Sequence, residues 1–344
     1  MDDLLAPARA ALADEEAFVV GGAVRDEALG RTVWDLDIAC RRPDRAARAF
    51  AEVVQGSPFR LSERHGAWRV AIADGRTVDF TPLVTDIESD LATRDFTINA
   101  VAQPLAGGDD VDPFEGRADL EAGILRAVAA TVFVDDPLRL LRAVRLEDEL
   151  DLRIEPRTER LVQEHAHLVA KPAGERILGE LWRLSTRGWR RLAELGLLER
   201  LDGSVDRADR ADAVDTPEYR LVVFLGDALG QLPISTQVRR YAVTLLRRDP
   251  PTDGSARAIH RFRRATEPWS LEALAFHGRL DLAEALADAR ARDPAAPLLR
   301  GDELGLPPGP QVGRLLSLID EERAAGTIST REEALDLVRR HRAR

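Results

Sequence analysis

Two short patterns near the start of the chain hold the residue types that phosphate chemistry requires. The first is Phe18-Val19-Val20-Gly21-Gly22, an apolar run meeting a glycine pair ahead of a segment with helical spacing. Glycines at a strand-to-helix turn let backbone N–H groups approach a phosphate, and a helix N-terminus favours the negative charge. The second is Asp35-Leu36-Asp37. On a strand, that spacing sends both carboxylates to one face and turns Leu36 and Ile38 toward the core. Two such charges repel unless a cation lies between them. Mg²⁺ suits the position, because it takes hard oxygen ligands and keeps water and phosphate oxygens as its others. Asp79 adds a third acid, in Thr77-Val78-Asp79-Phe80-Thr81, where Val78 and Phe80 point the other way. Three aspartates on neighbouring strands could hold two metals, one activating a hydroxyl and one clamping a triphosphate. Taken singly, each feature also fits a plainer role: a Gly-Gly turn, a solvated strand end, an exposed strand residue. Their order and separation make the set far more specific than its parts.

Further along, Arg139, Arg142 and Arg145 recur at i, i+3 and i+6 after Asp135-Asp136-Pro137. This spacing predicts a narrow basic stripe along one helix face, beside an apolar stripe of Leu138, Leu141 and Val144. A solvated basic face, with Asp136 capping a helix that has Pro137 as its first residue, is the plainer alternative.

The elements that must position these side chains divide the chain. Residues 1–130 mix short strands (Phe18–Val20, Leu36–Ile38, Trp68–Ile72, Thr77–Phe80) with helical segments after Arg25 and over Pro43–Val54. From about Val132 onward the pattern is helical: 138–146, 175–184, 189–198, 221–229, 238–246, 271–289 and 312–319, with Asp202–Pro217 as a solvated connection. The expected fold is therefore α+β: a mixed-sheet head over 1–130, a helical neck over 131–200, and a helical body and tail over 201–344. The chain has 344 residues and a formal net charge of −11, so any polyanion must be held by a local basic patch rather than by overall charge. The lone Cys40 excludes an intramolecular disulfide and fits a reducing cytoplasm without disulfide-linked partners. Met1-Asp2-Asp3-Leu4 lacks the basic-then-apolar pattern of a signal peptide, and no apolar run is long enough for a membrane span.

Gly-Gly-Ala-Val-Arg-Asp (21–26) followed by Asp-Leu-Asp (35–37) resembles the active site of the DNA polymerase β-like nucleotidyltransferases. More narrowly, it resembles the class II tRNA nucleotidyltransferases (CCA-adding enzymes) and their bacterial poly(A) polymerase relatives. The resemblance implies nucleotide binding by Gly21, Gly22 and Arg25, with Asp35, Asp37 and Asp79 as the catalytic metal ligands. Arg94-Asp95-Phe96-Thr97-Ile98-Asn99-Ala100 is similar to a further family motif, which assigns phosphate and ribose 2′-OH recognition to Arg94 and Asp95; Thr93 stands where the family usually has another Arg. Asp135-Asp136-Pro137-Leu138-Arg139 resembles the family's protein template. It implies that Asp136 accepts from the exocyclic amine of cytosine or adenine and that Arg139 donates to the ring acceptors, with Arg142 and Arg145 on the triphosphate. Glu175 and Arg176, with Glu180, match a motif that braces the template helix. Val111–Leu120 resembles the segment joining head to neck and reads as a hinge, a Pro/Gly turn being the alternative. Gly301–Pro310 and Gly326-Thr327-Ile328 resemble the family's tail module. Arg239, Arg240, Arg247, Arg248, Arg261, Arg263 and Arg264 could meet tRNA phosphates or stand on solvated helix faces. No His-Asp dyad occurs among His65, His165, His167, His260, His277 and His341, so the family's distal phosphohydrolase module is not expected in this sequence.

The implied activity is Mg²⁺-dependent addition of C and A from CTP and ATP to the tRNA 3′ end. Only Phe80–Ser89 separates Asp79 from Asp90, where CCA-adding members carry a longer loop associated with the switch from C to A. A CC-adding enzyme is therefore one form of the expectation. A poly(A) polymerase and a relict RNA-binding module are the alternatives.

Overall fold

The computed structural model describes residues 2–63 and 66–342; Arg64 and His65 lie outside the described residues. The chain forms two compact units, 1–201 and 202–344.

The first unit opens with α1 (Asp2–Ala11), β1 (Ala17–Val20), α2 (Gly22–Ala28), β2 (Asp35–Cys40) and α3 (Pro43–Val54). Then come β3 (Ser57–Ser62), β4 (Ala67–Ala71), β5 (Thr77–Pro82), α4 (Ile87–Leu91), β6 (Ala102–Pro104), α5 (Gly116–Glu121) and β7 (Ile124–Leu125). Six strands make one sheet in the order β3-β4-β5-β2-β1-β6. The β2–β5 pair is parallel and the others are antiparallel.

Alternation gives the sheet two unlike faces. Leu36, Ile38, Val78 and Phe80 are fully buried on one face, with Phe50 of α3 packed 5.7 Å from Phe80 between ring centroids. Pro43 opens α3 at its first turn, and Ala46, Ala47, Phe50 and Ala51 form its inward stripe. The opposite face carries Asp35, Asp37 and Ala39 in sequence along β2. A smaller core of Val20, Ala39, Leu83, Ile87, Leu91 and Ala102 covers its far end. The carboxylates thus stand on the part of the face that α4 leaves open.

The rest of this unit is α6 (Val132–Asp135), α7 (Arg139–Glu149), β8 (Arg153–Ile154), α8 (Pro156–His165), α9 (Gly174–Leu181) and α10 (Thr186–Glu194). α7 buries Leu140, Leu141, Val144 and Leu146, and packs against α9 and α10. Val111–Leu120, the segment joining head to neck, is held by local contacts. Asp112 accepts from Gly116 and Arg117 N–H at 2.7 and 2.9 Å. Gly116 lies so close to Thr97 that a Cβ there would sit 2.1 Å from the Thr97 carbonyl.

The second unit contains α11 (Pro217–Leu225), α12 (Thr236–Arg247), α13 (Ala256–Thr266), α14 (Ser270–Phe276), α15 (Ala283–Ala291), α16 (Pro310–Ala324) and α17 (Arg331–Arg342). The single helix expected over 271–289 is two helices, because Gly278 adopts φ +68° after α14 and turns the chain. Asp202–Pro217 is largely solvated, with Ala211 buried and Arg210 anchoring it by donating to the Phe276 carbonyl at 2.7 Å. Leu304, Leu315, Ile319, Ile328, Ala334 and Val338 form a core of their own around α16 and α17. Among the described residues, no single helix is long and apolar enough to cross a membrane.

Candidate active site

Strand register brings the acids together. β2 and β5 run parallel with Asp37 opposite Asp79 and Asp35 opposite Thr77, so all three carboxylates leave the same face. Thr77 donates its hydroxyl to Asp35 at 2.6 Å. Burial pushes the Asp37 carboxyl above its ordinary range, and Asp79 and Asp35 add to that against the opposing Arg94. Asp79 is engaged elsewhere: Arg69, its antiparallel partner on β4, donates to both of its oxygens at 2.6 and 2.7 Å. Among the described residues no three His, Cys, Asp or Glu side chains converge closely enough to hold a metal ion. The donor set is nonetheless all oxygen, as a hard divalent cation requires, with the Arg94 and Arg142 charges nearby acting on Asp37.

Gly21 shapes the edge of the same site. Its φ of +74° is a conformation that side chains rarely adopt, and a Cβ there would lie 3.4 Å from Arg94 and 3.6 Å from Asp37. Gly21, Gly22, Asp37, Arg94, Asp95, Asn99, Asp136, Leu138, Arg139, Arg142 and Arg176 line one cleft within the first unit.

Most of the cationic groups in this cleft are tethered. Arg94 pairs with Asp90 at 2.7 Å. Arg142 Nε lies 2.5 Å from Asp95, which also accepts from Asn99 and from the Phe96 N–H at 3.0 and 2.8 Å. Burial alone would raise the Asp95 pKa, but Arg142, Asn99 and the Phe96 N–H hold it below the ordinary range. Asn99 is oriented in turn by Arg25, which donates to its carbonyl oxygen at 2.7 Å. Arg139 donates to the Thr93 carbonyl at 2.8 Å, and Asp136 pairs with Arg176 at 2.7 Å. Burial would raise Asp136 as well, yet Arg176 and the Leu138 N–H hold it below its ordinary value.

Five of the expected residues are not among those lining the cleft: Asp35 and Asp79, which flank Asp37 on β2 and β5, and also Arg145, Arg25 and Glu175. Arg145 is 5% exposed and held by Glu180 and Glu149 at 2.5 and 2.6 Å, so it does not face a triphosphate. The helical period explains this: at about 100° per residue, i+6 lies roughly 120° around from i, off the face of Arg139. Arg25 supports Asn99 and Asp26 rather than lining the cleft. Glu175 is exposed, and the bracing contact on α7 comes from Glu180. Arg176 lies in the cleft itself. Two contributors escape a reading of single motifs. Asn99 sits four residues after Asp95, and Arg69 becomes visible only through the Asp74-Gly75 turn, which sets it opposite Asp79.

Residues 17–126 match the Poly A polymerase head domain, and 151–202 match the probable RNA and SrmB-binding site of polymerase A. The A-adding tRNA nucleotidyltransferase of Deinococcus radiodurans is 32% identical over 94% of this chain and 95% of its own length. The chain belongs to the tRNA nucleotidyltransferase family. The CC-adding tRNA nucleotidyltransferase of Thermus thermophilus is 30% identical over 93% of this chain and 92% of that one. The CC-adding enzyme of Geobacter sulfurreducens is 44% identical, but over 49% of this chain and 40% of its own length. In fold, the chain is similar to the Thermotoga maritima CCA-adding enzyme complexed with tRNA, at a TM-score of 0.77 and 24% identity, covering 97% of this chain and 93% of that one.

Proposed function

We infer that this chain is a tRNA nucleotidyltransferase that adds C to the tRNA 3′ end from CTP, as a CC-adding enzyme. The observation behind the C-only reading is the connection between β5 and α4. It has four residues, Leu83–Asp86, and Arg41 Nη1 straps it by donating to the carbonyls of Leu83, Val84 and Thr85 at 3.4, 3.4 and 2.5 Å. A long excursion of the kind associated with the switch to A has no place there. The full-length likeness to an A-adding relative makes A addition the competing outcome.

Asp35 and Asp37 would hold Mg²⁺, which supplies charge neutralisation for the triphosphate and acidifies the attacking 3′-OH. Gly21 and Gly22 let the triphosphate approach the backbone, while Arg94, Arg139 and Arg142 supply the positive charge that the chain as a whole lacks. Asp95, with Asn99 behind it, faces the ribose. Asp136 reads the base: an exocyclic amine donates to it, whereas uracil or guanine would set a carbonyl against a carboxylate. Phosphoryl transfer needs chiefly positioning and charge stabilisation, and these side chains provide both. The 131–200 helices carry base recognition, and the helices beyond residue 201 hold the tRNA.

The test offers tRNA lacking its 3′ terminus with CTP, ATP or both, and sizes the products at single-nucleotide resolution. Extension by two with CTP and no more on adding ATP supports the reading. Addition of one A to tRNA already ending in CC identifies an A-adding enzyme instead, and a long A tract a poly(A) polymerase.

A further inference from the structure

Asp136 is not open as it stands. Arg176, in the first turn of α9, lays its guanidinium along the carboxylate, with Nη2 2.7 Å from Oδ2 and Nη1 3.3 Å from Oδ1. Oδ1 also accepts from the Leu138 N–H at 3.1 Å. Both side chains line the cleft and both stay partly exposed, Arg176 at 51% and Asp136 at 32%. An ion pair this exposed is weak, so a ligand of matching chemistry can displace it.

We propose that Arg176 is a displaceable stand-in for the nucleobase: it occupies the amine-accepting edge of Asp136 and yields to the C4 amine of cytosine or the C6 amine of adenine. This rests on the base-reading role inferred above for Asp136. The longer of the two contacts, Nη1 to Oδ1, is the one an amine N–H replaces with least loss. An amine returns to the carboxylate the donor that Arg176 withdraws. Uracil O4 and guanine O6 set a carbonyl at that position, which returns nothing and meets like charge, so neither opens the pair; the guanine amine sits at C2, at the opposite end of the base edge. Arg139 does not compete for the same carboxylate, because the Thr93 carbonyl holds its Nη2 at 2.8 Å. Arg176 also keeps Asp136 ionised and oriented between turnovers, which spares the cleft an unpartnered carboxylate.

The experiment is equilibrium binding of CTP, ATP, UTP and inorganic tripolyphosphate to the full chain with Mg²⁺ and without tRNA. Arg176→Ala removes the competitor, so affinity for CTP and ATP should rise about two- to five-fold relative to UTP and tripolyphosphate. Arg176→Lys, which keeps the charge but not the two-pronged contact, should give a smaller gain. In an Asp136→Ala background, Arg176→Ala should bring no gain specific to CTP. Parallel weakening of CTP and tripolyphosphate would make Arg176 a phosphate contact and overturn the proposal. A fall in the CTP-to-UTP ratio would make it a prop for Asp136, with the same consequence. If Asp136→Ala alone leaves that ratio unchanged, the base-reading assignment is itself wrong and the stand-in role goes with it.

Discussion

Arg69 lies opposite Asp79 across the β4–β5 pairing and donates to both oxygens of its carboxylate, at 2.6 and 2.7 Å. The third acid of the set is therefore already neutralised by a residue of its own sheet. Arg69 is about a third exposed, so the pair is one that a competing cation can open. Arg69→Ala is expected to lower the Mg²⁺ concentration giving half-maximal incorporation by about two- to five-fold. A Mg²⁺ titration that moves the other way would show that Asp79 takes no part in holding the ion.

Asp37 is half-buried beside two other carboxylates, and desolvation and both carboxylates favour its neutral form. Asp37→Asn removes that repulsion at equal size. Nucleotide incorporation should fall by at least about 10³-fold, while the melting temperature rises by about 2–4 °C. Loss of activity with an equal loss of stability would mean that the residue is structural. Asp35→Ala should likewise abolish incorporation with every nucleotide supplied, whereas Asp136→Ala should relax the choice among them.

The Glu149–Arg145–Glu180 cluster ties α7 to α9 from the inside. Burial would lower the Arg145 pKa, but the two glutamates outweigh it and raise it. Glu180→Ala leaves Arg145 half-paired in a buried place, at a cost of about 3 kcal/mol by urea denaturation. The KM for CTP should stay within about two-fold, since none of the three side chains lines the cleft. A large KM change would return Arg145 to the triphosphate.

Cys40 is fully buried at the end of β2, and burial pushes its thiol up to about 12. The folded thiol thus stays neutral where an unfolded one, with a pKa near 9, ionises. Its contribution to stability is whole below about pH 9 and declines as the pH rises toward 12. A thiol reagent at pH 8 should leave the native chain unmodified for hours and react at once in urea. Rapid labelling without denaturant would contradict this burial.

Much of the head could be read from side-chain pattern alone. Alternation in Asp35-Leu36-Asp37-Ile38 and in Val78-Asp79-Phe80 marks two half-buried strands, and the Pro43 start with its alanine and phenylalanine stripe marks α3 to the residue. The gathering of Gly21, Asp37, Arg94, Asp95, Asp136, Arg139 and Arg142 in one cleft follows from motifs that each carry their own chemistry. What escaped depended on partners distant in sequence. β3, Ser57–Ser62, is an exposed edge strand starting Ser-Pro, whose short Phe59-Arg60-Leu61 alternation buries neither face. α8 and α17 are rich in Arg and Glu, and α13 in Arg, so their apolar stripes are narrow. Arg247, Arg261 and Arg263 read as free cations, yet each has an acidic partner, Asp227, Glu321 and Asp293 respectively. Arginine count measures available charge only after such pairs are known.

The strap over Leu83–Asp86 has an evolutionary corollary. Lengthening the chain between Pro82 and Ile87 would cost up to three bonds from one guanidinium, so an insertion there needs a compensating change at Arg41 to be tolerated. Loop length and the residue at position 41 should therefore vary together among relatives, as two halves of one inherited trait.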